Sequence, residues 1–119
     1  MQRSLLSISH QHVKVYIREN AWVARLAAWK LGMPNVAIVF GQTIFLYNCS
    51  ADSFLSNESW VRHELKHVEQ YARYGFMGFI LRYLAESITN GYHNNKYEKE
   101  ARQAELLTGN PQVDICIRP

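Results

Sequence analysis

The stretch SWVRHELKHVEQYARY, Ser59–Tyr74, reads as one continuous helix. At about 100° per residue, Val61, Leu65, Val68 and Ala72 form an apolar arc, while Arg62, Lys66, Glu69 and Arg73 form a charged arc that should take the solvent side. His63, Glu64 and His67 lie off the charged arc, on the side shared with Trp60 and Tyr71, so they should face protein or a cleft. Burying three such groups is costly unless partners satisfy them. Gly75 is the expected stop, because a residue without Cβ suits the left-handed position that follows a last helical turn.

Working outward, Val36–Phe40 and Thr43–Tyr47 are β-rich runs on either side of Gly41 and Gln42, a two-residue connection that predicts a tight hairpin. Before them, Val13, Val15 and Ile17 alternate with Lys14, Tyr16 and Arg18, the period of a strand with one wet face. Asn20 is a plausible cap for a helix over Ala21–Leu31, which carries Trp22, Val23, Leu26, Ala27 and Trp29 and is stopped by Gly32 and Pro34. A polar loop is expected around Cys49–Asn57. Beyond Gly75, helices are expected over Phe76–Thr89, closed by Asn90 and Gly91, and over Asn95–Leu107, closed by Thr108–Pro111, with a short tail after them. Phe76, Phe79, Ile80, Tyr83, Leu84 and Ile88 have helical spacing and should pack on the Ser59–Tyr74 helix rather than touch a membrane surface. The pattern is α+β, with no repeat, linker or biased tract, so residues 1–119 form one domain.

Composition narrows the function classes. Hydrophobic residues are 48% and charged residues 19% of the chain, which excludes a disordered protein. The net charge of +3 is too small for a nucleic-acid footprint, and the 13% of aromatic residues form no readable nucleic-acid motif. The longest apolar run, Phe76–Leu81, is far short of the ~20 residues that span a bilayer. The first ten residues hold one Arg and only a broken apolar stretch, which does not read as an export signal. Cys49 and Cys116 lie far apart without a CxxC pairing and are expected as free thiols. A soluble, cytoplasmic protein is the expectation.

Within the decisive stretch, His63, Glu64 and His67 form an H-E-x-x-H sequence. Histidines four apart lie one turn above each other and can aim imidazole nitrogens at a single zinc ion. Glu64 is turned by about 100° and can reach the open coordination position without being a ligand. Catalytic zinc usually takes three protein ligands. The metzincin extension is absent, because Gln70 and Arg73 stand where its Gly and third His would be. The downstream candidates are His93, Glu98 and Glu100, and a return through the helix Phe76–Thr89 would bring their segment back beside the histidines. His10 and His12 could share a strand face as a second metal pair, although such terminal pairs are more often solvated. On the last helix, Tyr97, Ala101, Ala104 and Leu107 form an apolar arc that contains Glu100, whereas Glu98 shares a polar arc with Arg102 and Glu105. Inward burial alone therefore favours Glu100.

The octet HELKHVEQ, His63–Gln70, followed by Glu98 and Ala101, resembles the gluzincin group of zinc metalloproteases, and more closely the short bacterial proteins that keep a minimal gluzincin-like core. The resemblance runs from the hairpin to the last helix. It implies a small zincin-like domain, with the hairpin packed on the active-site helix and two to three further helices. It also implies Glu98 as third zinc ligand, with Glu100 as the alternative that the helical arc prefers. The acidic residue that supports a histidine in that group is replaced here by Arg102. Zn²⁺ would acidify a water, Glu64 would take its proton as general base, and a peptide or protein would be the substrate. Tyr92, Tyr97, His93 and Arg102 are candidate donors to the developing oxyanion. The strand Thr43–Tyr47 is expected to offer a free edge to an extended peptide. The rival expectation is a non-catalytic, zinc-stabilised binding protein on the same scaffold.

Overall fold

A computed structural model describes residues 13–107 and 113–118. The alternation at the start of the chain forms β1 (Val13–Arg18), in which Val15 and Ile17 are fully buried while Lys14 and Arg18 face water. The hairpin is β2 (Val36–Phe40) and β3 (Thr43–Tyr47), paired antiparallel from Val36 opposite Tyr47 to Phe40 opposite Thr43. Gly41 turns the chain with φ of 63°, a left-handed value that glycine adopts without a Cβ clash. Between β1 and the hairpin lies α1 (Trp22–Leu31). Its expected cap, Asn20, is instead a left-handed turn residue with φ of 54°, and Ala21 takes the cap position with no side-chain bond.

The polar loop expected around Cys49–Asn57 contains a helix, α2 (Ala51–Ser56). The Ser50 side chain accepts from the Ser53 backbone N at 3.1 Å, and the fully buried Phe54 plugs the core edge-on to Trp60, with ring centroids 5.0 Å apart. The six residues of α2, fewer than two turns, leave no periodicity to detect. Next comes α3 (Glu58–Tyr74), capped by Asn57 Oδ1, then α4 (Phe76–Asn90) and α5 (Lys96–Ala104). Gly75 has positive φ but an extended ψ of 163°, so it joins α3 directly to α4 rather than closing α3 in the left-handed helical region. The tail is a strand as well, β4 (Val113–Arg118), parallel to β1 over its full length from Val13 opposite Val113 to Arg18 opposite Arg118. Its alternating Val113, Ile115 and Ile117 carry the period-2 signal, and the partner lies at the other end of the chain.

The sheet order is β2-β3-β1-β4. The strand expected to offer a free edge, Thr43–Tyr47, is therefore internal, between β2 and β1; among the described residues an open edge belongs to β2. One sheet face, with Val15, Ile17, Val39, Ile44 and Leu46, packs on Leu65, Val68 and Tyr71 of α3 and Phe79 of α4. The opposite face, with Val36, Ile38, Phe45 and Tyr47, is covered by alanines of α1. The result is a mixed α+β domain with five helices among the described residues, and none of these is long and apolar enough to cross a membrane.

Two helical arcs depart from expectation. On α3, Glu69 is buried and bonded to Lys66 Nζ at 2.6 Å, while Ala72 is exposed, so the charged arc is not the solvent face. On α4, Phe79 is buried with Ile80 and Tyr83 against it and the half-exposed Phe76 stacks on Tyr71 of α3, but Leu84 and Ile88 remain exposed, because α4 meets α3 along one narrow side. Cys49 and Cys116 are free thiols.

Candidate metal centre

The helical spacing of α3 carries His63 and His67 on one side, with ring centroids 5.2 Å apart. The other half of the site comes from α5, whose position is set by Asn95. This fully buried side chain accepts from the Tyr97 backbone N at 2.8 Å and donates to the Tyr83 carbonyl at 3.1 Å and Ser87 Oγ at 3.0 Å. One residue thus caps α5 and fastens it to α4. That places Glu98, in the first turn of α5, against both imidazoles: Oε1 is 3.1 Å from His63 Nε2 and Oε2 is 3.3 Å from His67 Nε2. Ligand atoms of the three residues all lie within 4.8 Å of one another, so His63, His67 and Glu98 could hold a metal ion.

The far side of each ring is also tied. His63 Nδ1 lies 2.7 Å from Glu105 Oε2, and His67 Nδ1 lies 2.9 Å from Gln70 Oε1. Gln70 is fully buried, and its Nε2 donates to Glu100 Oε1 at 2.9 Å and to the Tyr97 carbonyl at 3.2 Å, which fixes the amide with its oxygen toward His67. Acceptors at both Nδ1 atoms hold a proton there, so that each Nε2, which donates to Glu98 in the metal-free site, is the nitrogen that can give up its proton and turn its lone pair to a metal. Tyr83 Oη completes the shell by donating to Glu98 Oε2 at 2.5 Å.

Electrostatics follow from this crowding. Burial opposes charge on His63, but its bonds to Glu98 and Glu105 and the nearby Glu64 prevail and raise it to about 9. His67 is raised too, burial again being outweighed by Glu98. Burial works against the Glu98 carboxylate, yet the two imidazoles and Tyr83 hold it well below the usual range. Burial pushes Glu64 up to about 7, against the pull of His67 and His63. The Tyr83 hydroxyl is raised by burial and by the Glu98 charge. Without a metal, protons hold the acids and imidazoles together; a divalent cation can take over that role.

Glu64 and the three grouped residues line a common cavity of about 280 Å³, walled by Ala37–Phe40 of β2 and by Tyr71, Phe79, Ile80, Tyr83, Leu84 and Tyr92. Of the four candidate oxyanion donors, Tyr92 lines this cavity. Tyr97 is buried in the core against Phe79, and Arg102 donates to the carbonyl of His93, which is exposed. Glu100 is outside the grouped residues and serves Gln70 instead. The resemblance put Glu98 first while the apolar arc favoured Glu100; it is Glu98 that groups with the histidines, because the space between α5 and α3 is itself polar where Glu98 enters. The same polar arc holds Glu105, seven residues on, which supplies the histidine support that Arg102 does not. Gln70 and Tyr83 had no signal of their own in the sequence. His10 and His12 lie outside the described residues.

Fold and site together define a mixed α+β domain with a largely buried two-histidine, one-carboxylate group that could hold a metal ion. No protein-family profile matches the chain, and neither a curated protein nor a solved structure does.

Proposed function

We propose that this protein is a zinc-dependent metallopeptidase with a minimal gluzincin-like, zincin-type domain. The observation that carries the reading is the convergence of His63 Nε2, His67 Nε2 and both Glu98 oxygens, with each histidine's Nδ1 already tethered to Glu105 or Gln70. Two imidazoles and one carboxylate are a donor set of catalytic zinc, with a position left open. Bound there, zinc would supply Lewis acidity, polarising a carbonyl and lowering the pKa of a water from about 15.7 towards 7.

The chain's own residues supply the rest. Glu64 shares the cavity without belonging to the grouped ligands, so it is the general base that takes a proton from the attacking water and returns it to the leaving amine. Of the candidate donors, Tyr92 lines the same cavity, and its hydroxyl can serve a developing oxyanion there. The substrate is a peptide or protein: among the described strands β2 is at the edge of the sheet and walls the cavity through Ala37–Phe40, where an extended segment can add to the sheet. A cytoplasmic location accords with the two free thiols.

Metal analysis of the purified chain should find about one zinc per molecule, and peptide turnover should stop with a chelator and return with zinc. Glu64→Gln should keep the metal and lose turnover. Bound zinc without turnover in the unaltered protein would make it a non-catalytic, zinc-stabilised binding protein, and unchanged turnover in Glu64→Gln would remove Glu64 as base.

A further inference from the structure

Helix α1 is built inside out. Its small residues Ala24 and Ala28 are buried against the sheet, while Trp22, Leu26 and Trp29 are 71%, 56% and 81% exposed. At about 100° per residue the three large side chains fall within an arc of roughly 60°. Arg25 borders that arc on one side and Lys30 on the other, each about 40° beyond its edge, and both are exposed. The helix holds no acid. Neither base forms an ion pair with another described residue.

From this geometry we infer that α1 docks on an anionic bilayer surface. Isolated exposed apolar side chains are ordinary, but two indoles and a leucine aligned in one stripe form a contact surface. Tryptophan is the side chain that settles at the headgroup boundary, where its ring meets the acyl region and its N–H stays wet. A basic residue on each flank then lies level with lipid phosphates, and the whole chain's charge of +3 adds attraction of the same sign.

A second copy of the chain fits less well. The three exposed side chains offer only about 400 Å², against about 800 Å² per partner in a stable interface. A two-fold dimer through α1 would also bring the same basic rim against itself. The inference does not depend on the metal site, since α1 packs on the opposite face of the sheet from α3.

The test is vesicle flotation of the full chain with phosphatidylcholine alone or mixed with phosphatidylserine, with tryptophan emission followed in parallel. Binding to the anionic vesicles, weakened by salt and accompanied by a blue shift, is expected. Arg25→Gln/Lys30→Gln should weaken partitioning on the order of 20-fold, and Trp22→Ser/Trp29→Ser should abolish it. Both variants change only exposed side chains, so circular dichroism and metal content should match the unaltered protein. Absence of partitioning, or equal partitioning by the tryptophan variant, overturns the inference. A concentration-dependent dimer that Trp22→Ser/Trp29→Ser dissolves also overturns it, in favour of self-association.

Discussion

Glu98 illustrates how little a side chain's own chemistry says about its role until its contacts are known. It sits two residues from Glu100 on the same helix, yet Glu98 touches both histidines while Glu100 holds the amide that holds one of them. Glu98→Ala should therefore abolish metal binding. Glu100→Ala should keep the metal but weaken it about tenfold, as loss of outer support does at histidine sites; titration against a competing chelator reads both, and the reverse ranking would hand the ligand role to Glu100. The metal-free site should also set a pH dependence. His63 is raised from 6.5 to about 9, so its stabilisation is full below 6.5 and is lost as pH rises through about 9. Glu64 is raised from 4.5 to about 7, so ionising it in the folded state removes stability as pH rises through about 7. Glu98 has the opposite sign: its contribution is present above 4.5 and is lost only in stronger acid. Chelated protein should thus melt at progressively lower temperature from about pH 6 to pH 9; a melting temperature that climbs across that window would contradict these contacts.

At the scale of elements, the readable ones were those with enough length to show a period. The apolar positions Leu65 and Val68, the stop at Gly75 and the turn at Gly41 all act within one or two turns of chain, and α3 and the hairpin follow the reading closely. The six-residue helix α2 is too short for a period, and β4 pairs with the most distant strand in the chain. The arcs of α3 and α5 misled because periodicity separates apolar from polar positions but does not say which polar positions find partners inside: Glu69 is buried with Lys66 bonded to it, and Glu98 is buried against the two histidines. The joint between α4 and α5 is where element geometry governs the site. Asn95→Ala removes a cap and two bonds to α4, which should lower stability by about 2 kcal/mol in urea denaturation and loosen metal binding by displacing Glu98. Unchanged metal affinity in that variant would mean that α5 is held by its apolar contacts alone.

Across the whole molecule, the site joins two helices distant in sequence: His63 meets Glu98 and Glu105 from 35 and 42 positions away. A metal that grips both helices only when they are docked should stabilise the entire fold. Zinc at about a hundredfold excess over its Kd should add about 2.7 kcal/mol, on the order of a 10 °C rise in melting temperature. Calorimetry with and without chelator measures this, and coincident melting curves would mean that the grouped residues hold no zinc. The histidine pair, its flanking Glu64, the hairpin and the α+β pattern were determined by the sequence alone, because helical and strand periods and tight turns are local properties of the chain. Glu98 was put first by resemblance against the helical arc, and its contact with both histidines, the tethers from Gln70, Glu105 and Tyr83, the place of β2 at the edge of the described sheet and the outward tryptophans of α1 appear only in the tertiary structure. Each depends on which faces meet when α5 docks on α3 and α1 on the sheet, and packing between distant segments leaves no periodic trace in either one.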